Sequence, residues 1–296
     1  MNCSYIKEEK MISDKQRMLL ELFEEASKCT LCKSFNPNKP NKSEGKYDGL
    51  INCFSRKELF LNIPSIWTDW INRSEAKIMI VGQDWGPYTD MYKYYERYSN
   101  MIILGEKEED AWKSIVDEKE SMTKQLLKEF LVRSAEVYDI NLGENFLDSF
   151  YITNAVLCAR KGSNYRGTDN FSAKFCTENC SKMLRRQIDV IKPLIVITLG
   201  YWPFYSICKN YNIVIYKTLK ENLLHYGRKK ENLINISTDS KPILVLPVYH
   251  PAAQVSKKEQ ISLYCIMWEI ITEHYSKKKL KDELCTYKFF RKGLSL

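Results

Sequence analysis

Four short apolar runs organise the chain. They cover residues 77–84, 150–154, 194–200 and 243–250, with Ile78, Met79, Ile80 and Val81 typical of the first and Ile243, Leu244, Val245 and Leu246 of the last. Each is rich in β-branched residues and too short for a helix crossing the same core, so each predicts a strand. The runs are nearly continuous rather than alternating, which suits strands covered on both faces. Three of them end in polar side chains: Gln83 and Asp84, Asn154, and His250. In an open parallel α/β sheet, ligands bind beyond the carboxyl ends of the strands. Gln83, Asp84, Asn154 and His250 are therefore expected around one crevice.

Between the runs the period changes to that of a helix. Met18, Leu19, Leu22 and Phe23 are spaced as one helical face within 14–27, and 108–138 reads as a long helical region. Leu184, Ile188 and Ile191 mark a helix over 177–191, stopped by Pro193. Ser256 is placed to cap a last helix reaching about residue 275, with Glu259 at the capping-box position. Residues 201–241 mix helix and loop. Strands alternating with helices predict an α/β fold, a three-layer αβα arrangement around a central, mainly parallel four-stranded sheet. A single domain over 1–296 is expected, with a helical, cysteine-containing N-terminal elaboration (about 1–76) and a sheet core (about 77–276).

Composition narrows the class. The 296 residues are 44% hydrophobic, enough for a sizeable core. No apolar run approaches the roughly 18 residues of a membrane span. Residues 1–17 lack the apolar centre of a signal peptide, so a soluble, cytoplasmic, monomeric protein is expected. The formal charge of +8 points to an anionic partner, and nucleic acid is the obvious one. Basic residues gather late, at Arg228, Lys229, Lys230, Lys257, Lys258, Arg291 and Lys292 among others. Ten cysteines without a secretion signal argue against a disulfide framework. Cys29 and Cys32 have the spacing of a metal or cluster site, whereas Cys3, Cys53, Cys208, Cys265 and Cys285 stand in no motif.

The motifs fall in a familiar order. Val81-Gly82-Gln83-Asp84 is similar to the first motif of the uracil-DNA glycosylase superfamily. Thr153-Asn154, followed by Ala155 to Cys158, resembles the strand presenting its base-reading asparagine. Cys180 to Ile188, continuing through Pro193 to Leu199-Gly200, is similar to the iron–sulfur, family 4-like branch. His250-Pro251-Ala252 resembles the second active-site motif. The resemblance runs over about residues 29–256. It implies a monofunctional DNA glycosylase that flips a pyrimidine out of DNA and hydrolyses its N-glycosidic bond, leaving an abasic site. The chemistry suits these residue types. His250 offers a hydrogen bond to charge developing on the departing base. Asn154 carries both a donor and an acceptor for a pyrimidine edge. Asp84 orients water or stabilises the cationic sugar, and the backbone from Gln83 to Gly86 closes the pocket. The same resemblance implies Cys29, Cys32, Cys158 and Cys180 as ligands of a [4Fe–4S] cluster, with Cys176 a rival for the fourth place and zinc the runner-up.

The chain also departs from the family. Gly86 stands where uracil-specific members have a tyrosine against C5 of the base. No stacking phenylalanine is evident, which leaves tyrosines of the 88–98 segment, Tyr95 and Tyr98 among them, to recognise the base. Gln254 or Val255 is the candidate wedge into the vacated stack, with Lys257 and Lys258 on phosphate. The expected partner is DNA holding a damaged or modified pyrimidine, with uracil as default. A C5-modified cytosine in foreign DNA, removed in defence, is one alternative. A non-catalytic iron–sulfur nucleic-acid-binding protein is another.

Overall fold

The computed structural model describes residues 12–32, 50–51, 73–84, 100–101, 103–105, 122–143, 146–160, 173–236 and 241–274. In chain order its elements are α1 (Asp14–Ser27), β1 (Leu50–Ile51), β2 (Ile78–Gly82), α2 (Met122–Glu136), β3 (Phe150–Asn154), β4 (Ala159–Arg160), α3 (Ala173–Ile191), β5 (Ile195–Leu199), α4 (Tyr201–Asn210), α5 (Leu219–Tyr226), β6 (Ile234–Asn235), β7 (Leu244–Val248) and α6 (Lys257–His274). The four apolar runs become β2, β3, β5 and β7. All four pair in parallel, in the order β3-β2-β5-β7.

The sheet has five strands rather than the four expected. β6 adds an antiparallel edge to β7, with Ile234 opposite Val245 and Asn235 opposite Leu244. It is two residues long and half polar, too short to carry a periodic signal. The Asn235 side chain helps hold it by accepting the Ile243 N–H at 3.2 Å. A separate two-stranded ribbon pairs β1 with β4, tying the N-terminal region to the chain just after Cys158.

Successive strand residues point to opposite faces, and each face has its helical layer. Ile78, Ile80, Phe150, Ile152, Ile195, Ile197 and Leu246 pack with α2 and α6. Met79, Val81, Tyr151, Val196 and Val245 pack with α1, α3 and α4. The result is the expected three-layer αβα fold. Both faces of the parallel strands are covered, which is why their runs do not alternate.

Two helix boundaries differ from expectation. α3 begins at Ala173, four residues before the predicted start, because residues 173–176 follow a polar, glycine-containing stretch and read as its end. Of the region 108–138, the described helix is Met122–Glu136; residues 106–121 lie outside the described residues. At α6, Ser256 Oγ accepts the Glu259 N–H at 3.2 Å. The Glu259 carboxylate accepts instead from Tyr249 and pairs with Arg228. α1 has both halves of a capping box, Ser13 with Gln16, and is fixed to α3 by the Glu25–Arg186 ion pair. No helix among the described residues is long and apolar enough to cross a membrane.

The α2–α6 layer has a polar link inside its apolar contact. Trp268 is fully buried, and its indole N–H donates to Leu131 O at 3.2 Å and Ser134 Oγ at 2.9 Å. Trp268→Phe keeps an aromatic ring but removes the donor. Urea unfolding should show a loss of about 1–3 kcal/mol, the cost of leaving buried acceptors unpaired. Trp268→Ala should lose about 3–5 kcal/mol.

Candidate active site and cysteine nest

The parallel strands bring their carboxyl ends to one rim. Asn154, the last residue of β3, stands in register with Gly82, the last of β2. The ladder continues past both strands: Ala155 N–H donates to Gly82 O and Val156 N–H to Gln83 O, each at 2.8 Å. This holds the Asn154 segment against the turn carrying Gln83 and Asp84. Two strands further, Gly200 N–H donates to Val248 O at 2.9 Å, joining the end of β5 to the end of β7 just before His250. Gly200 has φ +99°, a region that disfavours side chains, so the turn into α4 calls for glycine.

The side chains at this rim are not equivalent. Asn154 is 2% exposed, held at the end of β3. Gln83 Nε2 donates to Asp84 Oδ2 at 2.9 Å. The Gln83 amide donor is thus directed to the Asp84 carboxylate, which it helps orient. His250 Nδ1 accepts the Ala252 N–H at 3.2 Å. That bond requires a lone pair on Nδ1, so the neutral ring carries its proton on Nε2. Desolvation holds the His250 pKa below 6.5, and the nearby Asp84 charge acts in the opposite sense. Although His250 lies at the surface, the packed strand ends behind it remove enough water to favour the neutral ring.

The turn after His250 also differs in part from expectation. Gln254 is exposed and Val255 half-buried. Lys258 is exposed on the first turn of α6. Lys257, expected on phosphate, donates to Glu129 of α2 at 2.8 and 3.0 Å. Gly86, Tyr95 and Tyr98 lie outside the described residues. Two further residues hold this rim without a sequence signal. Gln260, buried on α6, donates to Pro251 O at 3.2 Å and anchors the turn behind His250. Tyr249, directly before His250, donates to Glu259. Both read in sequence as ordinary residues in or beside an amphipathic helix.

A second grouping lies along the outer side of β3. Cys29 and Cys32 follow the C-terminus of α1, Cys158 follows β3, and Cys176 and Cys180 stand one turn apart on α3. Cys32, Cys158, Cys176 and Cys180 pack together around Val156. Cys29, Cys158 and Cys180 line a cleft of about 210 Å³ with Asn179, Met183 and Arg186. The neighbouring Cys176 side chain is the main cause lowering the Cys32 pKa to about 7; burial opposes it, and Asn179 adds to the lowering. Asn179 Nδ2 reaches Cys32 Sγ at 3.5 Å. The same thiol contact, with burial, pushes Cys176 far up. Burial raises Cys180 to about 12, with the Leu157 N–H opposing. Five sulfur donors from three segments fit a thiolate-bound group. Among the described residues, no three His, Cys, Asp or Glu are grouped so that they could hold a metal ion.

The fold and the rim of polar strand ends define a class. The chain belongs to the Uracil DNA glycosylase superfamily, whose family model matches residues 68–272. Within it the chain is similar to the Type-4 uracil-DNA glycosylase of Sulfurisphaera tokodaii, at 31% identity over 106 residues, covering 36% of this chain and 42% of the relative. It is also similar to the Type-4 uracil-DNA glycosylase of Saccharolobus solfataricus, at 28% identity over 149 residues, covering 50% and 57%. The matched stretch spans about half the length of each relative.

The His250 environment has a measurable sign. With its folded pKa depressed below 6.5, its contribution to stability is complete above that pH and is lost as pH falls through the folded value. NMR titration should place the His250 midpoint below 6.5 in the native protein and lower still in Asp84→Asn, which removes the opposing charge. A midpoint above 6.5 would show that the ring is not desolvated.

Proposed function

We propose that this chain is a DNA glycosylase that removes uracil from DNA. The reading rests chiefly on one observation. A neutral imidazole with its proton on Nε2, a carboxylate held by Gln83, and a buried amide stand at carboxyl ends of parallel strands of one sheet. Cleaving the bond between the sugar C1′ and the pyrimidine nitrogen leaves positive charge on the sugar and negative charge on the base. His250 Nε2–H donates to the base oxygen as that charge develops. A neutral donor suits this step, because it needs no prior protonation at pH 7. Asp84 faces the sugar, stabilises the cation and directs the water whose oxygen joins C1′. Asn154 hydrogen-bonds the pyrimidine edge with both ends of its amide. Unstacking the base costs a few kcal/mol, offset by these contacts. Lys258 and the Gln254–Val255 turn meet the DNA backbone and the vacated stack. The Gly86-based alternative, a C5-modified cytosine, is a second arm of the substrate test.

Cys29, Cys32, Cys158 and Cys180 would hold a [4Fe–4S] cluster, as a four-thiolate set permits. Its contribution is to cross-link the segment after α1 to β3 and α3. The resemblance of the cysteine order to the iron–sulfur branch favours this choice over zinc. Purified protein should contain iron and acid-labile sulfide in equal amounts, and Cys180→Ala should lose both. Stoichiometric zinc without sulfide would reject the iron assignment.

The activity is tested by abasic-site formation on a uracil-containing duplex, with a C5-substituted duplex in parallel. His250→Ala should slow single-turnover cleavage by roughly 10²–10³-fold, the usual cost of such a donor. Duplex affinity should change little, because phosphate contacts dominate it. Asp84→Asn should likewise slow cleavage without loss of binding. Wild-type protein that binds DNA but cleaves neither duplex would leave the non-catalytic reading standing.

A further inference from the structure

The corner that follows α5 carries three consecutive cations, Arg228, Lys229 and Lys230. We propose that Arg228 grips a DNA phosphate beside the His250 turn, as a second backbone contact alongside Lys258, while Lys230 takes no part. This rests on the glycosylase reading above and adds a residue that holds the strand at the same rim.

Packing fixes where the corner lies. Gly227 ends α5 and is buried. A Cβ there would stand 2.7 Å from Leu223 Cδ2 and 3.2 Å from Pro247 Cγ, so the backbone approaches β7 too closely for a side chain. Pro247 is the fourth residue of β7, just before the strand reaches the rim. Arg228 is therefore delivered beside the carboxyl end of β7. Its Nη2 lies 3.8 Å from Glu259 Oε1, the same oxygen that accepts from the Tyr249 hydroxyl at 3.5 Å. Tyr249 directly precedes His250, and Glu259 directly follows Lys258 on the first turn of α6. Arg228 and Lys258 thus border the His250 turn from two separate segments.

Pairing separates Arg228 from Lys230. Lys230 is ion-paired with Glu273, in the last turn of α6. Glu259 and Glu273 are about 21 Å apart along the helix, at 1.5 Å per residue. The two cations therefore point to opposite ends of α6, Arg228 toward the His250 turn and Lys230 away from it. Arg228 is 53% exposed, and its contact with Glu259 is long. An ion pair so open to water is worth at most about 1 kcal/mol. It leaves guanidinium N–H groups for a phosphate, which a planar fork binds through two oxygens.

The test titrates full-length protein onto a uracil-free duplex by fluorescence anisotropy at several salt concentrations, with cleavage of a uracil duplex measured separately. Each phosphate contact contributes about 0.9 to the slope of log affinity against log salt. Arg228→Ala should flatten the slope by about one contact, and Arg228→Lys should keep the wild-type slope because the charge stays. Lys230→Ala removes an equal charge from the same corner and should also keep it. Equal flattening in Arg228→Ala and Lys230→Ala would mean that only the general field of the corner acts, and overturns the proposal. So does a wild-type slope in Arg228→Ala, whose role would then be to brace Glu259. Wild type that binds the duplex but cleaves no uracil defeats the glycosylase reading alone, and the slopes still decide for Arg228. Wild type without affinity for the duplex overturns both.

Discussion

β2 is hydrogen-bonded along both edges to parallel partners, β3 on one side and β5 on the other. The direction this imposes governs the rest of the molecule. With β7 added in the same sense, four carboxyl ends face one rim. Had any of these strands run antiparallel, its terminal polar residue would stand at the opposite edge, some five residues of strand away. Asp84, Asn154 and His250 are distant in sequence and become neighbours only through this shared direction. The helices on both faces follow from it, because parallel neighbours need crossover connections.

The ladder between β2 and β3 links the two chemical regions. It runs on through Ala155 and Val156 beyond the strands proper. The same stretch of chain therefore fixes Asn154 at the crevice and, four residues later, Cys158 at the nest. Val156 packs among the cysteines. A cross-link at the nest would brace the segment that presents the buried amide without touching the chemistry. The β1–β4 ribbon begins directly after Cys158 and adds a second tie to the N-terminal region.

The electrostatics of the rim are set by local hydrogen bonds as much as by charge. Ala252 N–H occupies Nδ1 of His250 and so decides which nitrogen carries the proton. Gln260 holds the turn that delivers that N–H. Gln83 directs Asp84. Each supporting bond comes from a residue whose own identity carries no obvious chemistry. Two of the three arise from the turn and helix that follow β7.

Much of this was written in the one-dimensional pattern. The four β-rich runs, the αβα layering and the polar residues closing the runs all follow from apolar periodicity, because burial on both faces removes alternation and strand ends must become polar. The CxxC spacing marked Cys29 and Cys32 because a local turn alone brings such a pair together. The pattern could not show β6, whose two residues are too few for a period, or the first turn of α3, whose sequence continues a polar stretch. It could not show that Lys257 meets Glu129, that Gln83 turns to Asp84, or that Cys176 rests against Cys32 while Cys180 faces the cleft. Those outcomes depend on which side chain lies within a few ångströms of another from a distant segment. Periodicity encodes the face that a residue occupies; its partner on that face is decided only when the layers pack.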